Sequence, residues 1–171
     1  MNNNDLRKQL LLIQNGDLAA FEELYQALKT PIFTIVSRIR RENAEEILQE
    51  VFIKLYRTPL EPSIKNPRAY IFRMARNLAI DNARKQTLTL PLDEISEASH
   101  TPHDNISLRM DIDDALAALP SEECQIVTLH VIGGLKFREI AEVMEMPLGT
   151  VLWRHQKALG KLRSYLGGHS L

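Results

Sequence analysis

Apolar residues recur at spacings of three and four along most of the chain, and no convincing stretch alternates apolar and polar residues with a period of two. Because an α-helix completes a turn every 3.6 residues, this spacing predicts amphipathic helices. The clearest example is residues 44–56, in which Ile47, Val51 and Leu55 share one face and acidic and amide side chains occupy the other. The pattern therefore predicts an all-α protein.

Turn-forming residues divide this pattern into segments. Asn15-Gly16-Asp17 separates two N-terminal helices, with Asp17 placed to cap the second, and Pro31 is placed to begin a third. Three prolines within residues 58–67 exclude a helix there and predict a loop. A long helix is expected to follow over residues 68–84.

Residues 86–107 interrupt the helical pattern with two prolines, four acidic residues and no lysine or arginine. Such a composition is typical of a linker between domains. We therefore predict two small helical domains, residues 1–86 and 108–171, joined by a flexible acidic linker at residues 87–107. The second domain is expected to contain four short helices, and the two domains are expected to move independently of each other.

Charge is segregated along the chain, although 21 basic and 22 acidic residues leave a net charge of only -1. Residues 65–85 contain six basic residues and one acidic residue, whereas residues 86–114 contain one basic and seven acidic residues. Residues 146–171 contain four basic residues and no acidic one. A single basic block is most simply a solvated helix face. Two such blocks on predicted helices indicate a polyanionic partner that is contacted twice.

Candidate catalytic chemistry is absent from the sequence. The five histidines are scattered, no catalytic or phosphate-binding motif occurs, and the lone Cys124 has no residue at metal-ligand spacing. Cys124 is interpreted as a buried structural thiol. No apolar run is long enough to span a membrane, and the N-terminus has no signal core. We therefore expect a cytoplasmic protein that is not an enzyme and takes no cofactor, metal or small-molecule substrate.

Residues 135–163 have the pattern of a helix-turn-helix. In its first helix the small residue Ala141 allows close approach of the second, and a tight turn is expected at Glu145–Pro147. Thr150 stands near the start of the second helix, where its hydroxyl can cap an amide or contact a phosphate. The second helix carries a basic face that suits the major groove of DNA, formed by Arg154, Lys157 and Lys161.

Four segments in a fixed order carry a resemblance to a known family. They are GDLAAFEELY at 16–25, AEEILQEVFIKLY at 44–56, NPRAYIFRMARNLAIDNARK at 66–85 and ALAALPSEECQIVTLHVIGGLKFREIAEVMEMPLGTVLWRHQKALGKLR at 115–163. With these segments, residues 10–166 resemble the extracytoplasmic-function (ECF) sigma factors of bacterial RNA polymerase. The resemblance implies sigma region 2 in the first domain, sigma region 4 in the second, and a role in directing polymerase to promoters and in opening DNA at transcription initiation.

The resemblance also implies partners and contact residues. The β′ subunit of core polymerase is expected to bind the residue 44–56 helix at Glu46, Gln49 and Glu50. The promoter -10 element is expected to contact Lys65, Arg68, Arg73, Arg76, Asn77, Asp81 and Arg84. The -35 element is expected to contact Thr150, Trp153, Arg154, Lys157 and Lys161. The implied partners are the β and β′ subunits of core RNA polymerase, promoter DNA and an anti-sigma factor.

The second helix of the helix-turn-helix departs from the family pattern at three positions. Most relatives have two polar residues where this chain has Leu152 and Trp153. Trp153 can pack on thymine methyl groups or sugars, contact another protein, or fold back onto the core of the domain, and the sequence leaves these alternatives open. His155 stands where relatives usually have an aliphatic core residue, so it is interpreted as a structural histidine rather than a DNA contact.

Two other classes of protein share part of this pattern. A transcriptional activator or repressor would have the C-terminal helix-turn-helix but would leave residues 16–85 unexplained. A helical adaptor or sequestering protein would use the same faces for proteins alone. Promoter-directed transcription with core polymerase distinguishes the sigma factor from both.

Overall fold

The computed structural model describes the backbone of residues 1–89 and 107–168 and the side chains of residues 1–86 and 112–167. The regular structure in these ranges is helical. No strand occurs within these ranges, and the predicted all-α fold is confirmed. Most of the predicted linker lies outside the described residues. The helices are α1 (Asn3–Gln14), α2 (Leu18–Ile39), α3 (Ala44–Arg57), α4 (Pro67–Thr89), α5 (Ser107–Ala117), α6 (Ser121–Val131), α7 (Phe137–Met144) and α8 (Leu148–Gly168).

Helix α2 is one continuous helix, so the prediction of a new helix at Pro31 is wrong. The Asp17 carboxylate accepts a hydrogen bond from the Ala20 amide at 3.0 Å, which confirms the predicted cap. A proline inside a helix costs about 3 kcal/mol, whereas burying one Leu or Ile side chain stabilises by about 1.5–3 kcal/mol. Leu28 and Ile32, which flank Pro31, are almost completely buried on the same face. Their burial offsets the hydrogen bond that proline removes.

Helices α1–α4 surround a core that the apolar stripe of α3 predicts. Ile47, Val51 and Leu55 are buried, as the sequence pattern requires. The Phe52 ring meets Tyr25 and Phe21 of α2, with ring centroids 4.8 Å and 6.2 Å away. Because this aromatic cluster fixes α3 against α2, the acidic side of α3 faces solvent.

Helix α6 is buried on nearly all sides, because it packs against α2 and against α8. Ile126 and Leu129 of α6 belong to the same continuous core as the apolar residues of α1–α4. In the described arrangement the two predicted domains therefore share one core, and their independent movement stays a prediction. Only five of the eleven residues of α6 are apolar, so the sequence does not show that two helical groups share its surface.

Glu139 of α7 ties the start of α4 to the helix-turn-helix. Its Oε1 atom accepts hydrogen bonds from Nδ2 of Asn66 at 3.2 Å and from Nδ2 of Asn3 at 3.3 Å. Its Oε2 atom accepts a hydrogen bond from the Lys136 amide at 2.7 Å at the start of α7. The Glu139 carboxylate therefore caps α7 and joins it to α1 and to the start of α4.

We predict that Glu139→Ala lowers the free energy of unfolding by about 2 kcal/mol, because hydrogen bonds to a charged acceptor are worth more than neutral ones. Chemical denaturation monitored by circular dichroism measures the change. Glu142→Ala on the same helix is the matched control, since Glu142 is exposed. Equal destabilisation by the two substitutions would contradict the proposed role of Glu139.

Candidate nucleic-acid interface

The turn between α7 and α8 has the geometry of a helix-turn-helix. Glu145 ends α7 in the left-handed backbone conformation, with φ of 54°. The amide of Met146 donates a hydrogen bond to the carbonyl oxygen of Ala141 at 3.0 Å. This turn confirms the predicted position of the bend and sends the chain directly into α8. Thr150 lies in the first turn of α8, and its amide donates to the Pro147 carbonyl oxygen at 3.0 Å.

One side of α8 is anchored in the core and the other is open. Val151 and Ala158, seven residues apart, are fully buried. Leu152, Trp153 and Gln156 are exposed on the opposite side. Because α8 is fixed by its buried side, the direction of its exposed side chains is set by the packing of the domain.

The predicted basic residues of α8 lie on its flank, next to the start of α6. The Arg154 guanidinium forms an ion pair with Glu122. Lys161 Nζ lies 2.9 Å from Glu123 Oε2, and Lys157 Nζ lies 3.8 Å from Glu123 Oε1. The Glu123 side chain is only 5% exposed, and a buried carboxylate needs a cation nearby. These contacts hold α8 against α6, although both lysines remain partly exposed.

Trp153 does not fold back onto the core. Its side chain is 60% exposed, and the Lys157 ammonium lies 4.8 Å from the centroid of its ring. A cation above an indole ring is an attractive contact that limits the motion of both side chains. The structure thus excludes one of the three alternatives for Trp153 and leaves DNA or a protein as its contact.

His155 belongs to an aromatic cluster that joins α6, α7 and α8. Its ring centroid lies 4.8 Å from that of Phe137 and 5.3 Å from that of His130. Burial, together with the neighbouring His130 ring, lowers the pKa of His155. The half-buried side chain therefore packs between three helices, in agreement with the structural role predicted for it.

Cys124 packs in a small cluster with Leu116, Leu119, Val127 and Ala158, where α5, α6 and α8 meet. Burial raises the pKa of its thiol, so the reactive thiolate is disfavoured. This environment agrees with the prediction of a structural cysteine. Within the described residues, no group of three or more His, Cys, Asp or Glu side chains comes together in a way that could hold a metal ion.

Helix α4 presents three of the predicted -10 contacts along one exposed line. Arg73, Asn77 and Asp81 follow one another at intervals of four residues, and all three are exposed. They line a cavity of about 410 Å³ between α3 and α4, together with Tyr70. Lys65 and Arg84 are exposed at either end of the same region. The cavity brings a ring, an amide and charged groups of both signs to one place.

The other two predicted -10 contacts point toward α6 and α7 instead. Arg76 Nε donates to Oε1 of Gln125 in α6 at 2.9 Å, and Arg68 donates to the carbonyl oxygens of Met1 and Gly133. Burial lowers the pKa of Arg76, although an arginine remains protonated at neutral pH. Of the five predicted basic residues of this region, Lys65, Arg73 and Arg84 are exposed to solvent. Arg68 and Arg76 are turned toward the C-terminal helices.

The predicted polymerase contacts share the exposed side of α3. Glu46, Gln49 and Glu50 are all exposed, and Glu50 Oε1 lies 3.3 Å from Lys54 Nζ. Beside them, a groove of about 400 Å³ between α2 and α3 is lined in part by Phe33 and Tyr25. Phe33 is 37% exposed, and the sequence pattern did not identify it because it lies next to the buried stripe of α2.

Two family matches place this helical protein in the sigma-70 class. Residues 21–89 match the family described as Sigma-70 region 2, and residues 109–162 match Sigma-70, region 4. The ECF RNA polymerase sigma factor RpoE of Cereibacter sphaeroides is 31% identical over 159 residues, which cover 88% of each chain. The ECF RNA polymerase sigma factor SigW of Bacillus subtilis is 27% identical over 180 residues, with 94% of this chain and 96% of the relative covered. The chain belongs to the ECF sigma factors of RNA polymerase.

Solved structures share this fold. CnrH, in complex with the cytosolic domain of CnrY, superposes with a TM-score of 0.69 at 18% identity and covers 96% of this chain and 98% of its own. The sigma factor RpoE in complex with the anti-sigma factor NepR, from Bartonella quintana, superposes with a TM-score of 0.68 at 20% identity, covering 85% of this chain and 98% of that one. None of the helices in residues 1–89 and 107–168 has the length and apolar character that crossing a membrane requires.

We predict that acid destabilises the protein partly through His155. Its folded-state pKa is lowered, so the unfolded chain binds the proton more readily, and stability falls as the pH drops below the ordinary histidine value of about 6.5. His155→Leu should therefore lose less thermal stability than wild type between about pH 7.5 and pH 5.5. Thermal unfolding followed by circular dichroism checks this, and an unchanged loss in the variant would contradict it.

Proposed function

We propose that this chain is an ECF sigma factor that binds core RNA polymerase and directs it to promoters. It would recognise the upstream (-35) and downstream (-10) promoter elements and assist DNA opening. The observation that carries the proposal is the presence of both sigma regions on one chain together with 31% identity to an ECF sigma factor over 88% of its length. The exposed residues of α3, α4 and α8 supply one surface each for core polymerase, the -10 element and the -35 element.

The acidic side of α3 is the proposed polymerase surface. Glu46, Gln49 and Glu50 project from a helix that the buried Phe52 and Leu55 hold in place. A fixed acidic face complements a basic helical partner and favours rapid association. We assign the β′ subunit of polymerase to this face, with the adjoining groove at Phe33 as part of the same contact.

The exposed line of α4 is the proposed -10 surface. Cationic Arg73 attracts phosphates, while the Asn77 amide and the Asp81 carboxylate can bond to base edges of a separated strand. Tyr70 lines the same cavity and offers a ring on which a base can stack. The cavity therefore suits an unpaired base of the non-template strand, with Lys65 and Arg84 placed to contact the flanking phosphates.

Arg68 and Arg76 extend this -10 surface only when α4 separates from α6 and α7. Their guanidinium groups are engaged by Gly133 and Gln125 in the described arrangement. These hydrogen bonds occupy only some of the five N–H donors of each guanidinium, but they turn both side chains toward the C-terminal helices. The proposed phosphate contacts of these two residues therefore require the helix-turn-helix to move away from α4.

The part of α8 from Thr150 to Lys161 is the proposed -35 surface. Thr150 stands in its first turn, where amides and a hydroxyl favour a phosphate. Trp153 projects from the exposed side, and Lys157 and Lys161 lie on the flank with Arg154. Their position beside the exposed face, rather than at its centre, favours contacts with the DNA backbone.

Further assignments rest on family membership. We propose that residues 1–86 and 108–171 form the two functional domains and that residues 87–107 connect them. The two solved relatives are bound to CnrY and to the anti-sigma factor NepR, so we also propose an anti-sigma factor as a partner of this chain. We place the protein in the cytoplasm because RNA polymerase works there, and we propose that it acts by binding rather than by catalysis.

Reconstituted transcription tests the proposal. Core RNA polymerase is incubated with a library of genomic promoter fragments, with and without the purified chain, and the transcripts are sequenced. The proposal requires transcripts that start at defined sites only when the chain is present. DNA binding without core polymerase would instead identify an ordinary activator or repressor, and the absence of any directed transcript would favour a protein-binding adaptor.

We predict that Glu46→Lys with Gln49→Lys weakens binding to core polymerase at least tenfold without unfolding the chain, because like charges then face each other across the contact. Affinity is measured by pull-down or by biolayer interferometry. Glu22→Lys with Gln26→Lys makes the same change of charge on the exposed side of α2 and serves as the control. Wild-type affinity in the α3 variant would rule out this surface.

A further inference from the structure

Gln156 lies at the centre of the exposed face of α8. It follows Leu152 by four residues and Trp153 by three, so the three side chains are neighbours on the helix surface. Val151 and Ala158 anchor the opposite side, and Gly149 and Gly160 leave open space next to Gln156 along the helix. The amide of Gln156 is therefore accessible to a partner that meets this face of α8.

The amide of Gln156 has no hydrogen-bond partner among the described residues. The basic side chains of α8 that precede and follow it are instead held at the flank, with Arg154 paired to Glu122 and Lys157 paired to Glu123. Arg154 is the one arginine in residues 148–158. The centre of the face is therefore neutral and carries both a donor and an acceptor.

We propose that Gln156 determines base specificity at the upstream promoter element by pairing with adenine, while Leu152 and Trp153 contact thymine methyl groups beside it. A glutamine amide donates to N7 and accepts from the N6 amino group of adenine in the major groove, and thymine presents a methyl group to the same groove. The inference rests on the proposed binding of α8 to promoter DNA, and it deepens that function by naming an A·T pair as the preferred contact.

The competing chemistry is less well matched to this face. Guanine is most often read by an arginine that makes two hydrogen bonds to O6 and N7, and Arg154 is turned toward Glu122. The apolar pair Leu152 and Trp153 would lie against the polar N4 amino group of cytosine with no partner for it. An A·T pair satisfies the amide and both apolar side chains at the same time.

The test uses holoenzyme reconstituted from core polymerase and the full chain. Promoter fragments randomised over the upstream element are transcribed, and the products are sequenced to give the base preference at each position. Wild type should prefer A·T in at least one position. Gln156→Ala should reduce that preference on the order of tenfold and leave the other positions unchanged. Gln156→Arg should change the preferred pair at the same position to G·C, and Gln26→Ala in α2 should behave as wild type.

Each outcome decides a separate question. If wild type directs transcription with an upstream preference and Gln156→Ala keeps that preference at every position, the assignment of Gln156 is overturned while the sigma-factor function stands. If the wild-type protein shows an upstream preference that includes no A·T position, the assignment of Gln156 is also overturned and the sigma-factor function stands. If Trp153→Ala weakens binding to core polymerase and leaves base preference intact, Trp153 contacts a protein and its role beside thymine is overturned. Failure of wild type to direct transcription would instead overturn the proposed function.

Discussion

The burial of α6 on two sides is the constraint on which the rest of the structure depends. Ile126 and Leu129 of this helix complete the core of α1–α4, while Val127 and Cys124 pack with α8. A helix that is buried around most of its circumference, polar Gln125 and Thr128 included, must lie between two partners. Through α6, helices α4 and α8 are placed on one body in the described arrangement.

The buried carboxylate of Glu123 transmits this constraint to α8. A charge that is almost fully removed from water must be paired, and Lys161 and Lys157 provide the pairing from α8. The same contacts place the cations of α8 on its flank and leave Leu152, Trp153 and Gln156 at the exposed centre. The pairing of a buried carboxylate inside the domain thus decides which side chains α8 presents on its exposed side.

Helix α4 carries polar and basic side chains on two sides, one exposed to solvent and one in contact with the C-terminal helices. Its exposed line of Arg73, Asn77 and Asp81 is available in the described arrangement, whereas Arg68 and Arg76 are engaged by the C-terminal helices. Both sets have the composition expected of a nucleic-acid surface. In the described arrangement these two sets therefore face different surfaces of the molecule.

The sequence alone determined the helical class, the helix-turn-helix with its turn, the acidic side of α3 and the family, because these depend on periodicity, turn residues and the order of motifs. It misplaced the boundary at Pro31, since a local breaker was outweighed by the burial of Leu28 and Ile32 on both sides of it. Only the tertiary structure decided that α6 joins two helical groups, that Arg76 faces Gln125 and that Trp153 is exposed. A sequence records which residues are apolar or charged, but the direction of each side chain depends on the neighbour that covers the other side of its helix.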